Sequence, residues 1–350
     1  MGLQTTWPLP WPRRSAGALA EPDRLAISFE PEKLRWLHGD ARGRPLRAGI
    51  VPLAGRADEP GQALRALGLP GAQVAALLGL GQAQLLQIEA PAVKPEELKS
   101  AARWRIKDLV DTRLEELTID VMHVGGTNQR EHQRNTAMPR QLFVVAARNA
   151  LLQEIDRRSR AQGVALSVID VTETAQRNLQ HAVAAAAGLG ERATAALMRH
   201  GDKALLTLCA GGELYYARQL EWDEADLSPQ RAPLAAGPKA SFENVDFIDY
   251  GAADAERDAD APRLVVEVQR SLDVWERTWP ELPVAALWVH AGDGGAALAA
   301  QLTAALAPAL NCPVHRLETA RLVPGFSEAA PTAELRDATW PLLGTLLRQA

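Results

Sequence analysis

The stretch ALMRHGDKALLTLCAGGELYYARQL, residues 196–220, constrains the chain most. It reads as two apolar strands joined through Gly211-Gly212, with Arg199, His200 and Gly201 standing just before the first of them. Many nucleotide-binding sheets place a phosphate loop on such a strand, glycine turn and strand. That loop ordinarily carries an acid and small hydroxyls. This one carries Arg199, His200, Asp202 and Lys203. The same stretch also fits an ordinary hairpin.

The rest of the chain alternates strand and helix patterns. RLAISF and KLRWLHG form a hairpin pattern about Glu30-Pro31-Glu32, and a third strand follows over 44–53. Residues 60–69 have helical spacing behind Pro60, and QVAALLGL and AQLLQIEAP read as buried strands. Residues 94–111 form an amphipathic helix pattern with Leu98, Ala101, Ala102, Ile106 and Leu109 on one face and Pro95-Glu96-Glu97 as its start. A strand at 114–126, a polar loop at 127–140 and a strand at 141–148 come next. Helices follow with Asn149 and Thr172 as expected caps and Gly163 and Gly188 as stops, separated by a strand at 164–171. Residues 223–262 are rich in Asp, Ala, Pro and Gly and read mostly as loop. Residues 262–280 form a helix pattern carrying Trp275 and Trp279. A strand, glycine turn and helix follow, then the strand CPVHRLE and a last helix with Pro341 as a kink. Paired ββ, βα and αβ units in two halves predict an α/β protein of two lobes with an inserted α/β piece.

Composition narrows the function. The chain has 350 residues, 47% of them hydrophobic, enough for a sizeable core. A net charge of -5 argues against nucleic acid as partner. The two cysteines, Cys209 and Cys312, stand in apolar stretches and read as buried free thiols. The first twenty residues lack the apolar core of a signal peptide, and no apolar run reaches the ~18 residues of a membrane span. The expected location is cytoplasmic. Residues 5–14, TTWPLPWPRR, read as a disordered tail, with Trp7, Trp11, Arg13 and Arg14 as an alternative interfacial anchor.

Common catalytic signatures are missing: no Gly-Lys dipeptide for a Walker loop, no GxGxxG, HExxH or GxSxG. The seven histidines are scattered, and Asp254, Asp258 and Asp260 read as a solvated acidic loop rather than a metal cluster. No metal site is expected. The nucleotide-like signal is HAGDGGAALAAQL, where Gly292, Gly294 and Gly295 expose amides between a buried strand and a helix N-terminus.

Taken in order, three stretches resemble the PilM family of actin-like type IV pilus assembly proteins, and within it the MshI branch of mannose-sensitive haemagglutinin (MSHA) pilus biogenesis. They are EAPAVKPEELKSAARWRIKDLVDTRLEELTIDVMHV, QLFVVAARNALLQEIDRRSRAQGVALSVIDVTETAQRN and LVVEVQRSLDVWERTWPELPVAALWVHAGDGG. The resemblance implies an actin-like (FtsA/PilM-type) two-lobed fold with an inserted α/β subdomain. Its boundaries are a Trp/Pro tail at 1–24, a first lobe at 25–90, a partner-binding insert at 91–170, a return helix at 171–190, and a second lobe with the last helix at 191–350.

In the family, the first phosphate loop is Asp-x-Gly with hydroxyls and a Lys. AISFEPEKL matches it with Ala26 for the acid, Ser28 for the glycine, and Lys33 kept. The second maps to Arg199, His200 and Gly201, followed by Asp202 and Lys203, so its acid is also replaced. The third keeps Gly292, Gly294 and Gly295. The resemblance therefore implies a pseudo-ATPase with degenerate loops and no cofactor, residual ATP/Mg²⁺ binding being the alternative. The family docks the short cytoplasmic tail of a single-span inner-membrane partner, PilN-like, on the insert. Trp104, Leu109, Val110, Glu115 and Glu116 are the candidate docking residues, and the assembly ATPase complex is a second candidate partner. Expected is a cytoplasmic scaffold held at the inner-membrane platform through its partner, its oligomeric state open. The competing readings are an active actin-like ATPase or related ASKHA-fold kinase, with Glu30 or Asp202 as substitute acid, and the cytoplasmic part of a type II secretion platform protein.

Overall fold

The computed structural model describes residues 22–53, 64–69, 71–126, 140–222 and 262–348. Two five-stranded sheets share one topology. In the first, β1 (Arg24–Phe29), β2 (Lys33–Gly39) and β3 (Pro45–Pro52) form an antiparallel meander. β4 (Gln73–Leu78) and β8 (Val168–Val171) extend it in parallel beyond β1, giving the order β3-β2-β1-β4-β8. The second sheet repeats this with β9 (Thr194–His200), β10 (Lys203–Ala210), β11 (Glu213–Glu221), β12 (Leu287–His290) and β13 (Val314–Arg316), in the order β11-β10-β9-β12-β13. A three-stranded antiparallel sheet lies between β4 and β8 in the chain. It consists of β5 (Ala83–Glu89), β6 (Leu117–His123) and β7 (Gln141–Arg148), with β7 central.

Alternation along the central strands builds the layers. On β1, Leu25, Ile27 and Phe29 join an outer core with Leu34, Val74 and Ile155, while Ala26 faces the other way. On β9, Ala195 and Leu197 pack with the helix α4 (Arg263–Thr278), and Ala196 and Met198 face the same middle core as Ala26. That middle core fuses the lobes. It contains Ala26, Leu37 and Leu77 from the first sheet and Trp288 from β12. It also contains Leu179 and Val183 of α3 (Thr172–Ala186) and Leu343 and Leu346 of α9 (Pro341–Leu346). α9 lies so close to α3 that a Cβ on Gly344 would fall 1.8 Å from the Ala175 carbonyl oxygen. The Arg24 guanidinium, at the start of β1, donates to the carbonyls of Leu346 and Arg348. α8 (Ala333–Thr339) precedes α9, with Pro341 dividing the two at a first-turn position where proline's missing N–H is harmless.

The structure differs from the sequence expectations in several places. β5 pairs with β7, so the insert's sheet begins after the turn at Gly79–Gln82 and not at residue 91. β8 pairs with β4, so the boundary drawn at 170 cuts a strand of the first sheet. The helix expected over 94–111 is a 3-10 turn (Pro95–Glu97) and then α1 (Leu98–Arg105) only. It stops where buried Ile106 anchors the chain and Arg103 reaches across to the carbonyls of Leu114 and Leu117.

Neither expected cap acts as one. Asn149 lies inside α2 (Asn149–Ala161), bonding the Thr118 hydroxyl and the Glu115 carbonyl, and the Thr172 hydroxyl donates to the Leu78 carbonyl. Both found partners in strands distant in sequence. Gly163 and Gly188 end their helices in the left-handed region, as expected. Around the helix expected at 60–69, a 3-10 turn (Arg65–Leu67) is described. The Trp/Pro tail, the loops at 127–139 and 223–261, and the acidic trio Asp254, Asp258 and Asp260 lie outside the described residues.

Candidate functional site

The ends of β9 and β12, neighbours in the second sheet, open on a cavity of about 430 Å³ lined by Arg199, Gly201, Gly292, Gly294, Gly295, Asp337 and Trp340. β9 and β12 run parallel, with Met198 opposite His290, and each strand ends in a histidine just ahead of a glycine turn. His200 and His290 flank the Trp340 indole, with ring centroids 4.8 Å and 4.5 Å from it. Burial, with the neighbouring His290, pushes the His200 imidazole down to about 3. Burial likewise holds His290 below its usual value, against the Leu317 carbonyl, Asp293 and Asp337. Both rings are neutral. His200 shares its Nε2 with Gln176, whose amide nitrogen donates to Thr207 and to the carbonyls of Leu205 and Ala196. His290 Nδ1 meets the Leu317 carbonyl at 2.9 Å, and its buried Nε2 has no hydrogen-bond partner.

Of the three turns, the glycine turn after β12 is the most telling. Its Asp293 and Gly294 amides both donate to the Asp337 carboxylate, at 2.8 Å for Gly294. Gly292 has φ +84°, and a Cβ there would lie 2.7 Å from Asp337 Oδ1, so the turn is shaped around this carboxylate. Asp293 in turn pairs with Arg336. Gly295 precedes α5 (Ala296–Leu306), and its Cβ would strike the Ala291 carbonyl. A cavity of about 330 Å³ opens beside the turn, between Arg316, Glu318 and Arg336 and a wall of alanines.

The other two turns are likewise occupied. Ala26 is buried in the middle core, and Ser28 shares its face of β1 one step nearer the turn. Lys33 pairs with Glu30 at 3.1 Å, and Arg35 pairs with the same carboxylate. Arg158 fixes the turn from outside, donating to the Glu30 carbonyl and covering the Phe29 ring. In the second turn, the Arg199 guanidinium donates to the Gly201 carbonyl at 2.8 Å and lies over Trp222. Arg199 is thus on the outer face of β9. The positions on the cleft face, where Ala26 lies on β1, are Met198 and His200. Asp202 and Lys203 sit at the turn, where the Asp202 carbonyl accepts from Trp222.

A buried carboxyl flanks this region. Burial raises Glu173, in the first turn of α3, above its usual value; its own backbone amide and Gln219 oppose that, and Asp170 adds to it. Cys209 and Cys312 are free, and burial raises both thiols. Among the described residues, no three His, Cys, Asp or Glu side chains are grouped to hold a metal ion.

The candidate docking residues divide by exposure. Trp104 is 70% exposed on α1, pointing away from the insert's core. Leu109 and Val110 lie partly buried against that core, beside Ala102 and Ile106. Glu115 and Glu116 form an exposed 3-10 turn (Leu114–Glu116) whose Glu115 carbonyl holds Asn149. The insert also meets the second lobe: the Gly125 amide donates to the Leu214 carbonyl, and Val124 and Phe143 join the core around Tyr215.

No known family profile matches the chain, and no curated protein matches it. Solved structures do. A chain of the PilM-PilN type IV pilus biogenesis complex superposes with TM-score 0.62 at 18% identity, covering 93% of this chain and 99% of that one. The fold is actin-like, of the PilM type. A Bacteroides thetaiotaomicron protein with actin-like ATPase fold and unknown function gives TM-score 0.45 at 8% identity, over 94% of this chain and 97% of that one. The cytoplasmic domain of EpsL, an inner membrane component of the type II secretion system of Vibrio cholerae, gives 0.39 at 13% identity, over 57% and 71%. These two similarities are too low to carry an argument.

The fold family implies ATP with Mg²⁺ between the lobes. Such a ligand needs free amides for its phosphates and a carboxylate for its metal. Here the Asp293 and Gly294 amides are taken by Asp337, Lys33 is taken by Glu30, and Ala26 and Met198 carry no acid onto the cleft faces of β1 and β9. At these three turns the residues do not fit a magnesium triphosphate; Asp170 and Glu173, at the junction of β8 and α3, are the buried carboxyls left beside them.

Three residues of this cleft went unread in the sequence: Asp337, Trp340 and His290. For His290 a signal existed, because it repeats the placement of His200 at the end of a strand before a glycine turn. Asp337 gave none, since it lies 44 residues beyond the amide of Asp293 that it accepts from.

Proposed function

We propose that the chain is a scaffold of a type IV pilus assembly machine, of the MSHA type, that docks the cytoplasmic tail of a single-span, PilN-like inner-membrane protein. It acts without ATP turnover and is held at the membrane platform, on the cytoplasmic side, through that partner. The likeness to a chain of the PilM-PilN complex over 93% of the sequence carries the reading. Among the described residues, no helix is long and apolar enough to cross a membrane, which fits recruitment through a partner.

Trp104 is the anchor of the docking face. An aromatic side chain exposed on a short helix costs solvation that a partner's apolar residues would recover, and aromatic anchors dominate such interfaces. Leu109 and Val110 supply the apolar floor, and Glu115 and Glu116 an acidic rim for basic residues of the tail.

Calorimetry with a synthetic PilN-like tail peptide tests this. Trp104→Ala should weaken binding at least about tenfold and leave thermal unfolding unchanged. A peptide that releases no heat and shifts nothing on a native gel would overturn the docking reading. Phosphate release from MgATP by the purified protein would overturn the pseudo-ATPase reading.

A further inference from the structure

We propose that the chain fills its own anion site: the Asp337 carboxylate is the resident anion of the glycine turn after β12, at the edge of a cavity of about 430 Å³ that Arg199, Gly201, Gly294 and Trp340 also line. This rests on the reading that the cleft performs no phosphate chemistry, and it supplies the reason.

The geometry is that of a filled anion site. Two consecutive amides, of Asp293 and Gly294, converge on the two oxygens of one carboxylate. Charge-assisted bonds from backbone amides are the strong kind, and a phosphate would have to displace them while facing the displaced charge. The carboxylate cannot swing away freely. Its neighbour Arg336 grips Asp293 from the same helix and donates to the carbonyls of Ala330 and Pro331 at 3.1 and 2.9 Å. One turn further on, Trp340 is buried between the two neutral imidazoles. Beyond it, Gly344 seats α9 against α3, and Arg24 holds the Leu346 carbonyl at 3.1 Å. The segment from α8 to α9 thus runs as one strap across both sheets, and Asp337 is its ligand to the turn. A site built this way has both amides satisfied by the chain itself, without an added anion.

Titration calorimetry with sodium pyrophosphate and with MgADP tests the proposal, on the full chain and on Asp337→Ala. The wild type should give no heat with either. Asp337→Ala should bind pyrophosphate at least about tenfold more tightly than the wild type does, and the Gly294 amide resonance should move on addition only in the variant. Pyrophosphate or MgADP binding to the wild type as tight as to the variant overturns the proposal, as does a folded Asp337→Ala that stays silent. Should that variant fail to fold, Asp337→Asn keeps the shape and one acceptor while losing the charge. It should gain pyrophosphate binding, and its silence when folded overturns the proposal. Movement of the wild-type Gly294 amide by pyrophosphate overturns it whatever the variants do. Wild-type binding without ATP turnover defeats the resident-anion proposal alone, turnover defeats the pseudo-ATPase reading too, and loss of tail binding defeats only the scaffold.

Discussion

At Gly344 the fold tolerates no side chain. A Cβ would lie 1.8 Å from a backbone oxygen of α3, which cannot rotate away as a flexible side chain would. Gly344→Ala must lift α9 from α3 and disturb the contacts of Leu343 and Leu346. We expect a loss of about 3 kcal/mol, read from urea denaturation, with alanine substitution at exposed Glu334 as the neutral comparison. Nothing in the sequence around Gly344 signals this demand, which comes from a partner helix more than 160 residues earlier whose Asn178 also donates to the Gly344 carbonyl. Ala26 was legible in the opposite way. Strand alternation alone places it on the face opposite Leu25 and Ile27, which is where the structure has it. The same rule puts Met198 and His200 on the Trp340 side of β9 and turns the Arg199 guanidinium over Trp222, while Arg199 still lines the cavity with Gly201, Gly294 and Asp337.

At the scale of elements, periodicity carried most of the information. Thirteen strands are described, and the patterns at the β1–β2 hairpin and the β10–β11 hairpin are placed within a residue or two of the structure; Arg199 and His200, read as standing before a strand, are the last two residues of β9. Helix starts were less legible. Asn149 fits the preference for a cap, yet its side chain spans to the turn before β6, where its amide nitrogen donates to the Glu115 carbonyl at 2.9 Å. A cap would accept Asp as readily as Asn. A donor to a carbonyl would not. Asn149→Asp should therefore destabilise the protein by about 1–2 kcal/mol, measured by chemical denaturation. Unchanged stability would restore the capping role. The short α1 has a similar lesson: its amphipathic pattern continues to Leu109, but Arg103 and buried Ile106 take up the chain first.

For the molecule as a whole, the seam between lobes should respond to acid. His200 and His290 titrate below their unfolded value of 6.5 because the fold excludes the charged form. Their contribution is therefore fully present above that value. As pH falls through it toward about 3, the unfolded chain takes up protons that the folded chain refuses. The thermal midpoint should drop steadily from neutral pH toward acid, and His200→Phe should flatten the slope. An equal slope in the variant would place the acid response elsewhere. The seam also has a bearing on biosynthesis. Ala26, Leu37 and Leu77 belong to a core that Trp340, Leu343 and Leu346 complete, and Arg24 waits for the carbonyls at the end of α9. Translation delivers these groups in the reverse of convenience. The first sheet leaves the ribosome with its inner face bare; α3 covers part of it, and the rest stays open until the strap has been made. A nascent first lobe thus carries exposed apolar surface of the kind that aggregates, and its core is complete only once residues 340–346 arrive.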